Sequence, residues 1–101
     1  MLALLAAALT PPLADAVWQA LRDRIESAPP QIAAFIERRA GCNHFLGEEP
    51  YDRARRAEIE AALKELSCDR IDEDERSLRA AHSGRPAILE LLTDTADITG
   101  W

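Results

Sequence analysis

Apolar residues recur along this chain at helical spacing. Val17, Trp18, Leu21 and Ile25 form one such stripe, Ile32, Phe35 and Ile36 a second, and Ile59, Ala62, Leu63 and Leu66 a third. No window alternates apolar and polar residues with the period of a half-buried strand. The pattern predicts an all-α protein, a small bundle of four to five short helices. Large core candidates are Trp18, Leu21, Ile25, Ile32, Phe35, Ile36, Ile59, Leu63, Leu66, Ile71, Leu78, Ile88, Leu89, Leu91 and Leu92.

Proline and glycine set the expected boundaries. The first helix is expected at about 15–27, with Asp15 as its cap. Pro29-Pro30 ends it and opens a second helix at about 31–40, which Gly41 stops. Residues 42–49 read as a loop. A third helix is expected from Pro50 to Ser67, and a fourth from Asp69 or Asp72 to near His82, with Asp72-x-x-Glu75 resembling a capping box. Pro86 opens a short fifth helix carrying Ile88, Leu91 and Leu92.

The N-terminal stretch Leu2 to Leu9 is an apolar run of signal-peptide length, and Ala14-Asp15-Ala16 has the small-x-small pattern of a cleavage site. Residues 1–16 are therefore expected to be a signal peptide or apolar leader, and 17–101 a single helical domain. No Lys or Arg precedes Arg22, a gap that an upstream start would fill; the competing reading is an apolar first helix in a cytoplasmic protein with free thiols. The run is too short to span a bilayer. Export implies a periplasmic or secreted protein whose two cysteines, Cys42 and Cys68, oxidise to a disulfide. Closing that loop contributes about 3.5 kcal/mol in the chain-entropy model. That is a sizeable share for a chain of 101 residues whose 48% hydrophobic content includes many alanines.

Formal charge is −6, and −5 without residues 1–16, which contain only Asp15. An acidic domain repels phosphate backbones and favours basic partners, so a protein partner in the envelope is expected, and no nucleic acid.

Between the cysteines lies the polar cluster Asn43, His44, Glu48, Glu49, Tyr51 and Asp52, followed by Arg56; these seven are the candidate binding residues. Three readings compete. In the first, Glu48, Glu49, Asp52 and the arginines simply start and solubilise the third helix. A contact surface fits a loop held by a rigid scaffold, whereas a buried hydrogen-bond knot fits a protein short of apolar bulk. Tyr51 is expected to lay its ring on the core and His44 to face solvent. Pairs at i,i+4 spacing (Glu49–Arg53, Asp52–Arg56, Arg56–Glu60, Glu60–Lys64) are expected to support the third helix.

No catalytic residue and no cofactor are assigned, for no nucleophile elbow, P-loop or zincin motif occurs. An acid–base or metal-dependent enzyme built on His44, Glu48 and Glu49 is the alternative. Cys42, His44, Cys68 and His82 include four zinc-type ligands, but at unsuitable spacing, and a disulfide would consume both thiolates. The acidic run from Asp69 to Glu75 fails as a calcium loop, since Ser77 and Ser83 stand where glycine and a bidentate glutamate belong.

The residues Cys42-Asn43-His44-Phe45-x-Gly47-Glu48-Glu49-Pro50-Tyr51-Asp52-x-x-Arg55-Arg56, continuing through Leu66-x-Cys68-Asp69 to Asp72-x-Asp74, resemble a family of short, exported, uncharacterised proteobacterial helical proteins. The resemblance covers about residues 31–82 and implies no activity. More loosely, Cys68, Asp72 and Leu78 are similar to a pattern in lysozyme-inhibitor LprI-like proteins, small helical envelope domains with disulfides. The chain departs from that pattern in cysteine number and in having Ala80-Ala81-His82 where a tyrosine is expected.

Overall fold

A computed structural model describes residues 13–100. Their helices are α1 (Leu13–Ser27), α2 (Pro30–Leu46), α3 (Arg53–Glu65), α4 (Ile71–Ala81) and α5 (Pro86–Asp94), with one 3-10 turn at Cys68–Arg70 before α4. Among the described residues there is no strand, and no helix is long and apolar enough to cross a membrane. The expected all-α bundle forms. Most of the expected leader lies outside the described residues.

The second helix is the hub, since α1, α3, α4 and α5 all pack against it. Its first turn is set by Pro30 at the opening position, while the Pro29 carbonyl accepts from Ile32 and Ala33. Ile32, Phe35, Ile36 and Ala40 then point into one buried cluster with Ile25 from α1, Leu78 from α4, Ile88, Leu91 and Leu92 from α5, and Ile98 from the tail. Beyond α5 the tail folds back on α2, where the Gly100 amide donates to the Ala40 carbonyl at 3.3 Å.

Several boundaries differ from the sequence expectation, each for a physical reason. The first helix is already under way at Leu13, so Asp15 sits in its first turn rather than at a cap. Trp18, expected in the core, is 40% exposed, because α1 adds only Leu21 and Ile25 from its C-terminal half to the buried cluster, with Ala28 following just beyond its end. Gly41 does not stop α2, which continues to Leu46. A Cβ at Gly41 would lie 3.1 Å from Leu66 Cδ1, so glycine here permits close approach of two chain segments rather than ending a helix. The third helix starts at Arg53, three residues later than Pro50, and ends at Glu65. Ser67 follows with φ 52°, a left-handed stop made without glycine. The Asp72–Glu75 capping box does not form. Asp72 is already inside α4, and Glu75 turns to two arginines instead.

That carboxylate belongs to a network centred on Arg39, which is only 4% exposed. Arg39 Nη1 donates to Glu75 Oε1 at 2.7 Å, and Nη2 donates to the Leu92 carbonyl at 2.7 Å and to Thr95 Oγ1 at 2.9 Å. The guanidinium also lies 5.1 Å from the Phe35 ring centre. On the far side, Arg79 Nε donates to Glu75 Oε2 at 2.8 Å and Nη2 to Thr93 Oγ1 at 3.0 Å. One buried cation thus joins α2 to α4 and α5. Burial alone would raise the Glu75 pKa. The Arg79 hydrogen bond and the charges of Arg39 and Arg79 outweigh it and hold the carboxyl below its ordinary 4.5.

Helix α3 lies apart from this core and buries only Ile59. It is secured covalently. Cys42, 2% exposed on α2, is joined to Cys68 in the turn after α3, with a Cα–Cα distance of 5.7 Å.

Replacing both cysteines by serine is expected to lower stability by roughly 2–5 kcal/mol. Urea unfolding checks this, and coincident curves for the mutant and oxidised wild type would refute it. Arg39→Ala is expected to cost about 3–5 kcal/mol, because Glu75 loses its most buried partner. Since the folded-state pKa of Glu75 is depressed, its contribution is complete above pH 4.5 and fades as pH falls through the lowered value. Stability measured from pH 7 down should therefore fall less steeply for Glu75→Gln than for wild type; parallel slopes would exclude this linkage.

Candidate functional site

The seven candidate residues span the last turn of α2, a short connection, and the first turn of α3. The structure splits them into two groups. Asn43, Glu48 and Asp52 are tied into the fold, whereas His44, Glu49, Tyr51 and Arg56 are exposed.

Asn43 lies on α2 one turn beyond Arg39, on the side of the returning tail. Its Nδ2 donates to the carbonyls of Ala96 and Ile98, both at 2.9 Å. The tail leaves α5 without a helical partner for these carbonyls, so a side-chain amide meets the need. Gly47 closes α2 by donating its amide to the Asn43 carbonyl at 3.1 Å.

Glu48 follows, and its two oxygens accept from Arg55 Nε and Nη2, both at 2.7 Å. This paired geometry suits a planar guanidinium and clamps the connection to α3. Arg55 also donates to Glu58 at 2.8 Å. The hydrogen bond from Arg55 is the main reason that the Glu48 carboxyl titrates below its ordinary range. Asp52 completes the turn as the N-cap of α3, accepting from the Arg55 amide at 2.8 Å.

The i,i+4 pairs expected around this start, Glu49–Arg53, Asp52–Arg56, Arg56–Glu60 and Glu60–Lys64, are not among the ion pairs of the described residues. Glu49 and Asp52 precede the helix, and the ion pairs that form there instead join Arg55 to Glu48 and Glu58. Arg55 is the residue that sequence reasoning passed over. Its signal was a set of acids on both sides, at positions 48, 52 and 58, that a later helix start brings within reach.

His44 faces solvent as expected. Its ring stacks edge-on against Phe45 at 5.0 Å between centres, and its Nε2 is 4.0 Å from Glu48 Oε2. Tyr51 is 82% exposed and does not lie on the core. The expected placement assumed a helix beginning at Pro50; with α3 starting at Arg53, Tyr51 falls in the turn before the cap and projects outward. Leu46, 66% exposed, adds an apolar group to the same segment.

The thiolates of the four-ligand zinc set are joined in the disulfide, and His82 Nδ1 lies 2.9 Å from the Leu78 carbonyl. Among the described residues no three or more His, Cys, Asp or Glu side chains are grouped to hold a metal ion. No protein-family model, curated protein or solved structure matches the chain.

The split makes separable forecasts. Asn43→Ala is expected to destabilise by about 1–3 kcal/mol and to speed amide exchange over residues 96–100, because two carbonyls lose their donor. His44→Ala and Tyr51→Ala are expected to stay within about 0.5 kcal/mol of wild type. Thermal melts decide the matter, and a damaging Tyr51→Ala beside a neutral Asn43→Ala would invert the assignment.

Proposed function

We propose that this protein is an exported binding or inhibitory module of the cell envelope that captures a basic protein partner through the exposed segment around His44, Leu46, Glu49 and Tyr51. The observation that carries the reading is the way this segment is held. A disulfide at Cys42, the Glu48–Arg55 clamp and the Asp52 cap all fix backbone from which aromatic, apolar and acidic groups project to solvent. Groups presented in this manner lose little freedom on binding, and an exposed tyrosine is among the residue types that most often anchor interfaces. The cystine supports an oxidising compartment, and the net charge of −6 supports a basic partner. The resemblance to lysozyme-inhibitor proteins makes lysozymes the first partners to try.

The enzyme reading built on His44, Glu48 and Glu49 has weaker support. Both oxygens of Glu48 are engaged by Arg55, and a carboxylate whose proton affinity is reduced makes a poor general base.

Retention of a periplasmic protein or a lysozyme on the immobilised protein, followed by titration of the isolated pair, tests the proposal. Tyr51→Ala is expected to weaken the measured affinity by about 2 kcal/mol, near thirtyfold, at unchanged melting temperature. Native mass spectrometry of the expressed protein should show an oxidised cysteine pair. An intact Met1 with two free thiols, or neither retention nor inhibition, would sink the reading.

A further inference from the structure

The two sulfurs of the disulfide occupy unlike surroundings. Cys42 is 2% exposed and sits on the hub helix, flanked by Gly41 and the buried Ala40. Cys68 is half-buried and lines an open groove of about 450 Å³ together with Leu46, Leu63, Lys64 and Asp69. The walls of this groove are chiefly apolar, with one cation and one anion among the lining side chains.

We propose that Cys68 is a reversible thiolation site, the sulfur at which a low-molecular-weight thiol exchanges with this disulfide. Exchange requires a thiolate to approach one sulfur along the line of the S–S bond, from the side opposite the leaving sulfur. Cys68 is the one of the two cysteines that lines a groove open to solvent, and a thiolate entering there reaches the Cys68 side of the bond. For Cys42 access is blocked by the packing of its own buried side chain on α2. The entering sulfur forms a bond to Cys68 Sγ, the Cys42–Cys68 bond breaks, and its electron pair leaves on Cys42 Sγ. The exchange conserves disulfide bonds, with one mixed disulfide replacing the internal one, and no outside oxidant is consumed.

The released Cys42 thiolate is buried, and burial disfavours its charge. It either takes a proton from solvent or returns to attack Cys68, expelling the thiol. Because α2 holds Cys42 within bonding reach, return is fast and the adduct is short-lived at low thiol concentration. The site is thus directional, open at Cys68 and self-resolving through Cys42.

The test uses the oxidised wild-type protein and glutathione as probe. After incubation, acid quenching and alkylation of free thiols, tandem mass spectrometry locates the glutathione. Adducts on Cys68 with alkylated Cys42 are expected to exceed the reverse by about tenfold or more, as access selects the attacked sulfur. Equal labelling, a preference for Cys42, or no adduct at high glutathione would overturn the proposal. A second arm uses the single variants Cys42→Ser and Cys68→Ser, compared by circular dichroism and by reaction with an aromatic disulfide. Cys68 of the first should react at least about tenfold faster than Cys42 of the second, and comparable rates would also overturn it.

Discussion

The guanidinium of Arg39 is the constraint on which the rest of the arrangement depends. A fully charged group on the buried face of the hub helix is tolerated only where acceptors meet it, and here both terminal nitrogens of the guanidinium find them while Nε is left without a partner. Here the acceptors come from three places: a carboxylate on α4, a main-chain carbonyl near the end of α5, and the hydroxyl of Thr95 just beyond it. These are directional contacts, and the planar fork satisfies them together only when α4 and α5 have the correct rotation and depth against α2. The apolar cluster around it would tolerate small slides. The arginine network resists them, and Glu75 passes the constraint onward to Arg79.

Much of the helical layout could be read from the chain, because helix existence depends on local periodicity and on proline. Pro30 and Pro86 open helices as their fixed φ dictates, and Ile25, Ile32, Phe35, Ile36, Leu91 and Leu92 are buried as their spacing implies. Boundaries failed where tertiary contact overrode local preference. Gly41 looks like a stop until Leu66 is placed against it, and the start of α3 is chosen by Asp52 accepting the Arg55 amide rather than by Pro50. Arg39 was legible in principle, since the stripe Ile32, Phe35, Ile36 continues to position 39. Hydropathy alone argued against a charge there, and the compensating partners lie 36 and 53 residues away.

The same logic explains the division of the segment between the cysteines. Polar side chains in a short connection compete for the backbone and charge partners that folding brings close. Asn43, Glu48 and Asp52 found partners, which makes them structural and leaves their chemistry spent. Those without such ties define the surface that a partner would meet. Polarity in the sequence could not separate the two groups, because it does not encode where the tail at 96–98 returns.

Gly41 and Leu66 touch at one step from Cys42 and two steps from Cys68. The close approach that glycine allows therefore lies beside the cysteine pair as well as between the packed segments. A residue larger than alanine at position 41 would push Leu66 outward and hold the two thiols apart while the chain is still reduced. Its main consequence would fall on assembly rather than on the finished molecule: slower pairing of the cysteines, a longer-lived reduced form and a lower yield of oxidised protein, even where the final fold is reached.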